Sequence, residues 1–423
     1  MIKIADFHIH SRYSRACSPA LTFSGIEEAC RQKGVDIVAT GDFTYPAWFR
    51  AIEEELEEVG SSGLFRLKVA LESPIRLILS TEISLVYKDG GRARRIHLVV
   101  MAPSLEAVRS LNVSLGARFN IRSDGRPILG ISAPDFVRLC LEIDERFIIF
   151  PAHIWTPWYA VFGSKSGFDT LEECFKDEAR HIHAYESGLS SDPEMNWRVS
   201  QLDNYLLLSN SDAHSLPNIG REANQLSFPS EEDVSFSSIQ EIIRRKLVVE
   251  RDSGALGLVR TIEFYPEEGM YHFDGHRACR FSCPPSESRR RKNICPVCGK
   301  PLIIGVLNRV EELADRGEGY HPEGAAPFVK LVELDKVIAQ SLGLAGRNSK
   351  QVAKIYAQMV QEFGGELGIL MDCDIVEIGK RFPEVAQSID KVRRGELIIT
   401  PGFDGQYGSV SLASPSDAQI SLF

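Results

Sequence analysis

Short apolar runs alternate with amphipathic stretches over residues 1–250 of the chain. The runs at 36–39 and 97–100 are rich in β-branched residues, which predicts short buried strands. Apolar residues three to four positions apart predict helices near 24–34 and 46–59. Strands that alternate with helices are typical of an α/β domain built on a parallel sheet. We therefore expect this first part of the chain to form one large α/β domain.

The pattern changes after residue 250, where helical periodicity becomes more frequent. We expect a connector with a strand at 261–265, a cysteine module that ends near residue 305, and a mostly helical part at 306–411. In that last part the pattern predicts helices at 328–340, 348–363 and 373–379, a further helix to about residue 394, and a hairpin at 396–412. Residues 412–423 are rich in Ser, Ala and Pro, which favours a flexible tail.

Composition limits the class of protein. The chain has 423 residues, of which 43% are hydrophobic and 25% charged, enough for a large core with smaller modules. The chain contains neither an apolar run of 18 residues nor a signal peptide, so we expect a monomeric, cytoplasmic, nucleoid-associated protein without a membrane segment. The net charge of −10 argues against a uniformly basic nucleic-acid binder. However, seven Lys/Arg residues lie between 276 and 305 against a single acid, Glu287, and a local basic stripe of this kind can bind phosphates.

Histidine and carboxylate residues recur at the ends of the short apolar runs. Side chains alternate with period two along a strand, so the pairs His8/His10 and Asp212/His214 each point to one side. A barrel brings the carboxyl ends of its strands together, and clustered imidazoles and carboxylates hold divalent metals. A single histidine of this kind is more often a core residue, but the joint pattern predicts a multinuclear metal centre. The candidate ligands are His8, His10, Asp42, Glu82, His97, His153, Asp212 and His214.

These ordered motifs resemble the PHP (polymerase and histidinol phosphatase) superfamily of metal-dependent phosphoesterases. The resemblance implies a distorted (β/α)7 barrel over residues 1–250 with two or three catalytic divalent metals, Zn²⁺, Mn²⁺ or Mg²⁺. It assigns the first metal to His8, His10, Glu82 and Asp212, the second to Glu82, His97 and His153, and the third to Asp42 and His214. The sequence departs from the family at Asp42, where many members have His, and at 11–15, which lacks a His often found there.

Three longer segments narrow the resemblance. Residues 153–168, 185–193 and 209–215, together with the order of the domains, are similar to the endonuclease Q family. This implies a DNA-repair nuclease that hydrolyses the phosphodiester bond 5′ to deaminated bases and abasic sites in double-stranded DNA. Two metals bridged by Glu82 and held by Asp212 would activate water, and His214 or Asp42 would act on the phosphate or the leaving group.

Aromatic residues follow His153 closely and suggest a pocket for the damaged base. Trp155, Trp158 and Phe162 are candidates for stacking on an extruded base, although each could equally be core. Ser164, Lys165 and Arg198 are candidates for polar contacts to the substrate, and Arg12 for a contact to the DNA backbone. Asp6 and Glu186 could orient a ligand histidine or simply bond to the main chain, and Glu186 is also a candidate for the substrate pocket.

The cysteine spacing predicts a structural zinc site. Cys279, Cys283, Cys295 and Cys298 give four thiolates for a closed tetrahedral Zn²⁺ site, with His276 as a spare candidate ligand. Nine cysteines in total suit a reducing compartment better than a disulfide framework. The adjacent residues Arg289, Arg290, Arg291 and Lys292 predict contacts to DNA phosphates, with a solvated loop as the alternative.

The last five residues resemble short peptides that bind the replication sliding clamp. Gln419, Leu422 and Phe423 would carry that contact, and a frayed terminus is the alternative. Two other functions for the whole chain stay open at this stage. One is a small-molecule phosphatase of the histidinol-phosphate type, and the other is a DNA-binding scaffold with a vestigial metal site. The additional modules argue against the first alternative, and the near-complete ligand set argues against the second.

Overall fold

The computed structural model describes residues 1–344 and 346–412, which form a mixed α/β fold. The strands are β1 (Ile2–Asp6), β2 (Ile37–Ala39), β3 (Leu56–Glu58), β4 (Leu64–Leu67), β5 (Arg76–Ile78), β6 (Ser80–Asp89), β7 (Arg92–Met101), β8 (Ile128–Leu129), β9 (Ile148–Pro151), β10 (Ala184–Glu186), β11 (Leu206–Leu208), β12 (Ala223–Ser227), β13 (Gly257–Glu263), β14 (Asp274–His276), β15 (Phe281–Cys283), β16 (Phe328–Lys330), β17 (Ile398–Thr400) and β18 (Ser409–Ser411).

Fourteen α-helices are found in the described ranges, together with six short 3₁₀ helices. The α-helices are α1 (Phe23–Lys33), α2 (Pro46–Glu55), α3 (Leu105–Gly116), α4 (Ala133–Ile143), α5 (Leu171–Phe175), α6 (Pro193–Asn196), α7 (Phe236–Arg245), α8 (Pro285–Arg290), α9 (Val306–Leu313), α10 (Leu334–Ser341), α11 (Lys350–Phe363), α12 (Glu366–Met371), α13 (Ile375–Gly379) and α14 (Pro383–Arg393). No helix in the described ranges is both long and apolar enough to cross a membrane.

The strands form several sheets. The largest has eight strands in the order β16-β13-β12-β1-β2-β5-β4-β3, with β1, β2 and β5 parallel to one another. A four-stranded sheet has the order β8-β6-β7-β9, and β10 and β11 form a parallel pair. A bridge between Ile9 and Ala213 connects the end of β1 to the segment after β11. The residues that follow the carboxyl ends of β1, β9, β10 and β11 lie in one region of the fold.

Local chemistry explains where the helices begin and end. Thr22 caps α1 by accepting a hydrogen bond from the Gly25 N–H, and Gly34 ends the helix in the left-handed region at φ 81°. Helix α7 buries Phe236, Ile239, Ile242 and Ile243, spaced three to four residues apart, and exposes its charged face.

Two predicted helices differ from those observed. The helix predicted at 46–59 ends at Glu55, and the chain continues as β3, which pairs with β4. The helix predicted at 328–340 begins only at Leu334, because Phe328–Lys330 pairs with β13 as a strand. Pairing with a neighbouring strand outweighs helical propensity in both places. Strand β13, which was expected in a connector, likewise belongs to the main sheet beside β12.

Candidate metal centre

Five side chains with metal-binding chemistry lie at the ends or beginnings of strands. His8 and His10 follow β1, Glu82 lies near the start of β6, His153 follows β9 and Asp212 follows β11. The two histidines after β1 and Glu82 are almost completely buried. Burying a carboxylate among imidazoles is costly unless the charges are compensated, so this is a place where a cation is favoured.

The first group of potential ligands consists of His8, His10, Glu82 and Asp212, whose ligand atoms lie within 4.8 Å of one another. His10 Nε2 is 3.0 Å from Asp212 Oδ1, and His8 Nε2 is 3.6 Å from the same oxygen. All three atoms are buried and lack a hydrogen-bond partner among the described residues. Converging, unsatisfied nitrogen and oxygen atoms are what a divalent cation requires, so the donor set fits a metal.

The second group shares Glu82 with the first. Glu82 Oε1 lies 2.6 Å from His97 Nδ1 and 3.1 Å from His153 Nε2, and the two imidazole nitrogens are 3.3 Å apart. Glu82 Oε2 faces the first group at 3.3 Å from His10 Nε2. One carboxylate thus contributes an oxygen to each group, which is the arrangement expected of a residue that bridges two metals.

Two buried carboxylates orient the ligand histidines. Glu186 Oε1 lies 3.0 Å from His8 Nδ1, and Glu186 Oε2 accepts a 2.8 Å hydrogen bond from the His153 N–H. Asp42 Oδ1 lies 3.1 Å from His10 Nδ1. The two contacts to Nδ1 fix the imidazoles of His8 and His10 so that Nε2 points at the metal group, whereas the contact to His153 is made by its main-chain N–H.

Glu186 is fully buried, so the structure places it behind the ligand histidines and not in a substrate pocket. Asp6 accepts hydrogen bonds from the main-chain N–H groups of Ser211 at 3.1 Å and Gly220 at 3.0 Å, which agrees with its alternative interpretation as a carboxylate bonded to the main chain.

The structure does not gather a third group of ligands around Asp42 and His214 among the described residues. The second oxygen of Asp42 is occupied by Ser11 Oγ at 2.6 Å and Ser14 Oγ at 2.8 Å, and His214 Nδ1 lies 2.8 Å from the Asp212 main-chain oxygen.

Backbone strain marks the same region. Asp42, His153 and Asp212 adopt positive φ angles of 46°, 30° and 46°, a region that non-glycine residues rarely occupy. The neighbouring Gly188 is required by space, because a Cβ there would lie 2.4 Å from the His153 Cβ. Strain of this kind persists where the surrounding structure fixes a functional side chain.

The electrostatics of the cluster favour a cation. Burial alone lowers the pKa of His8, but the charges of Glu186, Asp212 and Glu82 outweigh it and hold that pKa well above its ordinary value. Burial raises the pKa of Glu82, and the surrounding imidazoles and Arg126 reverse this and hold it well below its ordinary range. The carboxylates are therefore ionised at neutral pH, ready to bind metal.

Arg126 is a site residue that the sequence analysis missed. Its guanidinium Nη1 donates to Glu82 Oε2 at 2.8 Å, and the charge of Glu82 raises its pKa further. It is the only Lys or Arg that forms an ion pair with a residue of either metal group in the described ranges. The signal that could have found it is the turn-forming segment 123–127, whose Asp, Gly and Pro predict a tight loop next to a strand.

The aromatic candidates separate into core and surface. Trp155 and Phe162 are buried, their rings 5.0 Å apart, and Trp155 Nε1 donates to Asn196 Oδ1 at 2.8 Å. Their prediction as base-stacking residues is therefore wrong, because the loop after β9 folds them into the core. Trp158 is 39% exposed and packs edge-on against Tyr271 at 6.0 Å.

The polar candidates near this loop also differ in exposure. Ser164 and Lys165 are exposed, as a substrate contact requires. Arg198 is half-buried beside Glu318, 3.8 Å from its carboxylate, and its main-chain oxygen accepts a hydrogen bond from the Asp315 N–H. Arg198 thus packs against the segment after α9.

The cysteine module gathers a different set of ligands from the one predicted. His276, Cys279, Cys295 and Cys298 lie with their ligand atoms within 4.8 Å, and Cys298 Sγ is 3.4 Å from His276 Nδ1. Cys283 lies outside this group of ligand atoms, opposite Asp274 in the hairpin of β14 and β15, and it packs in a small apolar cluster with Cys295 and Leu302. Burial raises the pKa of the Cys283 thiol to about 11.

The basic residues beside this module are partly neutralised. Arg289 pairs with Glu311 at 3.0 Å and Arg291 with Glu287 at 2.7 Å, whereas Arg290 and Lys292 are exposed. The clamp-binding residues Gln419, Leu422 and Phe423 lie outside the described residues.

One family profile and two curated proteins are similar to this chain. The family profile of the MJ0043 C-terminal domain matches residues 333–396. The protein is 31% identical to MJ0043 of Methanocaldococcus jannaschii over 61% of this chain, and the match spans only 31% of that relative. It is 30% identical to YqxK of Bacillus subtilis over 96% of this chain and 98% of that relative.

Two solved structures are similar over nearly the whole chain. The lesion-specific endonuclease PfuEndoQ of Pyrococcus furiosus has a TM-score of 0.84 and 30% identity over 99% of both chains. The chain belongs to the endonuclease Q family. A complex of endonuclease Q with a 27-mer duplex carrying an abasic lesion at the active site has a TM-score of 0.83 and 31% identity over 98% of this chain and 97% of that one. This member of the endonuclease Q family is thus an enzyme of the hydrolase class.

Proposed function

We propose that this protein is a divalent-metal-dependent endonuclease that hydrolyses the phosphodiester bond 5′ to deaminated bases and abasic sites in double-stranded DNA. The observation that carries the proposal is the pair of ligand groups joined through Glu82. This pair lies in a chain that is similar over almost its full length to a lesion-specific endonuclease, and to an endonuclease Q bound to a duplex with an abasic lesion.

The residues of the two groups have separable tasks. Divalent cations supply Lewis-acid stabilisation of the phosphate oxygens and activation of water. His8, His10, Asp212, His97 and His153 would hold them, while Glu82 fixes the spacing between the two groups. Glu186 and Asp42 keep the imidazoles in the orientation that presents Nε2. His214, whose Nδ1 lies 2.8 Å from the main-chain oxygen of Asp212, would contact the phosphate or the leaving group.

An extruded base would be received beside the second group. Trp158 is exposed and Tyr159 lies 4.7 Å from the His97 ring, so an aromatic surface adjoins the proposed metal position. Bases that pair badly cost less to extrude, which gives selectivity for damaged sites. Ser164 and Lys165 are exposed in the same loop and are available for polar contacts to that base. We also propose that the strands around the two metal groups form the distorted barrel that the PHP resemblance implies, since residues at the ends of several strands meet at this site.

The test is a nicking assay with 5′-labelled duplexes that contain uracil, hypoxanthine, an abasic site or no lesion. Each is incubated with Mg²⁺, Mn²⁺, Zn²⁺ or EDTA, using the wild-type protein and the Asp212→Ala variant. We expect metal-dependent cleavage one bond 5′ to the lesion, and its loss in the variant. Turnover of a small phosphate ester without cleavage of any duplex would instead assign the protein to the phosphatases.

The base pocket is tested separately with Trp158→Ala. We expect this variant to lose preference for damaged over undamaged duplex while it keeps its metals. Tyr320→Ala is the matched control, because Tyr320 is also an exposed aromatic residue, 44% exposed, but packs against Arg316. Equal lesion preference in the Trp158→Ala variant and the control would contradict the base pocket.

A further inference from the structure

Three segments meet at one side of the metal centre. The loop after β1 and the loop before β8 are joined by a hydrogen bond from the Gly125 N–H to the Tyr13 main-chain oxygen at 3.0 Å. The start of α2 joins them through Tyr45, whose ring stacks on that of Tyr13 at 4.6 Å. Ser11 and Ser14 of the first loop also bind Asp42, so the whole assembly is fixed to the metal centre.

These segments carry arginines without acidic partners. Arg12, Arg15, Arg50 and Arg122 are exposed, and their guanidinium groups form no ion pair or hydrogen bond among the described residues. We call these four residues the arginine rim. Many other exposed arginines of the protein are paired, as Arg109 is with Glu53 at 2.6 Å.

Two residues of the arginine rim, Arg50 and Arg122, line an open groove. It encloses about 920 Å³ and is lined by Tyr45, Arg50 and Arg122, with the exposed Val113 on its wall. Thr44, two residues from Asp42, is among its lining residues, and Thr44 Oγ1 lies 3.3 Å from Thr81 Oγ1, which precedes Glu82 in the chain. The groove is therefore connected through Thr44 to the segments that carry Asp42 and Glu82.

A concentration of unpaired positive charge requires an explanation in a protein of net charge −10. Unpaired guanidinium groups beside a nuclease centre suit a polyanion, and arginine binds phosphate with two parallel hydrogen bonds. The phosphates that lie next to the scissile bond belong to the DNA strand that is cut. We therefore infer that arginines near the metal groups contact that strand.

We propose that the arginine rim and its groove hold the phosphate backbone of the DNA strand that flanks the scissile bond. This rests on the proposed function for the identity of the polyanion. The Tyr13–Tyr45 stack supplies an apolar surface for a sugar or base of the same strand, and the guanidinium groups neutralise its phosphates. The basic stripe at 289–292, which the sequence favoured for this role, has two of its four charges neutralised by acids.

The experiment measures the salt dependence of DNA binding. Every protein carries Asp212→Asn to prevent cleavage, and the probe is a 27-mer duplex with a central abasic site. The test protein adds Arg12→Gln, Arg50→Gln and Arg122→Gln. The control adds Arg180→Gln and Arg244→Gln instead, two exposed arginines next to the amino-terminal ends of β10 and β9, at the opposite end of these strands from the metal centre.

Each phosphate contact that is lost should make the slope of log K against log [salt] less negative by about 0.9. We expect a change of about 2.7 for the three rim substitutions and at least about tenfold weaker binding at low salt. The control slope should stay unchanged. A test slope equal to that of the control would overturn the proposal.

Failure of the proposed function gives a different result. If wild-type protein with Asp212 intact cuts no damaged duplex, the proposed activity fails, while the salt slopes still report whether the arginine rim binds DNA. All the substituted arginines are exposed, so the variants should melt at the temperature of the Asp212→Asn parent, which a thermal denaturation checks. A single Arg50→Gln variant, with a slope change of about 0.9, covers the case in which the triple variant fails to fold.

Discussion

Lys33 Nζ lies 2.7 Å from Glu366 Oε2, and both side chains are buried. This ion pair joins α1 of the first part of the chain to α12 of the last part. Tyr356 donates a second hydrogen bond to the same oxygen at 2.7 Å, and the Leu334 N–H donates to the other oxygen at 3.1 Å. Glu366 is thus a point at which three helices and the α/β part are held together.

Removing one partner of this pair should destabilise the protein. Lys33→Met leaves the Glu366 carboxylate buried beside two neutral donors, and we expect the free energy of unfolding to fall by about 3–5 kcal/mol. The double variant Lys33→Met/Glu366→Gln removes both charges and should recover most of that loss. Urea denaturation measures both, and equal losses for the single and double variants would contradict the account.

Gly188→Ala should disturb the second metal group. The added Cβ would lie 2.4 Å from the Cβ of His153, so the imidazole must move away from Glu82. We expect fewer bound metal ions per chain and slower nicking. Gly254→Ala is the control, because Gly254 has the same positive φ of about 66° with open space around it. If the two variants lose the same amount of metal, backbone strain explains the loss and the contact with His153 does not.

Arg126 should matter for cleavage more than for metal binding. Arg126→Gln removes a positive charge that competes with cations for Glu82, so metal affinity should be kept or increased. The variant also loses the cation that adjoins the phosphate, and we expect kcat/KM to fall by about 100-fold. Isothermal titration and single-turnover nicking separate the two effects. Loss of metal together with loss of cleavage would show that Arg126 only supports the structure.

The stabilisation contributed by two buried glutamates should decline as pH rises from weakly acid to neutral. Burial raises the pKa of Glu263 to about 7, and it also raises that of the adjacent Glu222 well above its ordinary value. The native state therefore binds protons more tightly than the unfolded chain. This stabilisation is complete below the ordinary carboxyl pKa of about 4.5 and is lost as pH rises through about 7.

Glu263→Gln should remove much of that pH dependence. We expect the variant to keep its stability between pH 5 and 8 better than the wild-type protein does, as measured by thermal denaturation at each pH. Glu232→Gln changes an exposed carboxylate and serves as the control. Equal pH profiles for the wild-type protein and the Glu263→Gln variant would contradict the prediction.

The zinc ligands should be His276, Cys279, Cys295 and Cys298. His276→Ala should release zinc and loosen the module, whereas Cys283→Ser should retain one zinc ion per module. The thiolate form of Cys295 is favoured, because N–H groups of Cys298 and Val297 outweigh burial and bring its pKa to about 7. Zinc content after dialysis against a weak chelator distinguishes the variants. Zinc loss in Cys283→Ser with retention in His276→Ala would restore the original set of four cysteines.

The sequence identifies several candidate metal ligands because their residue types carry the chemistry themselves. His8, His10 and Glu82 are recognisable by type and by their position at strand ends, and the structure brings them together. Trp155 shows the limit of such reasoning. An aromatic residue beside a ligand suits a pocket or a core equally, and only the fold of the loop after β9 decides in favour of the core.

The remaining differences depend on three-dimensional arrangement. Spacing alone does not choose between Cys283 and His276, because that choice depends on the register of the β14–β15 hairpin. Arg126 lies in the loop between α3 and β8, whose turn-forming residues predict a tight loop but not its contact with Glu82. Of the arginine rim the sequence suggested only Arg12, because the other three arginines join it from separate segments of the chain.

The main sheet has a consequence for any attempt to dissect the protein. Strands β13 and β16 come from beyond residue 250 and pair next to β12. Cutting the chain at that residue would leave the backbone of β12 unpaired on one side, and an open edge of this kind recruits other chains. We therefore expect the truncated α/β part to aggregate, so catalysis and the C-terminal helices must be studied in one intact polypeptide.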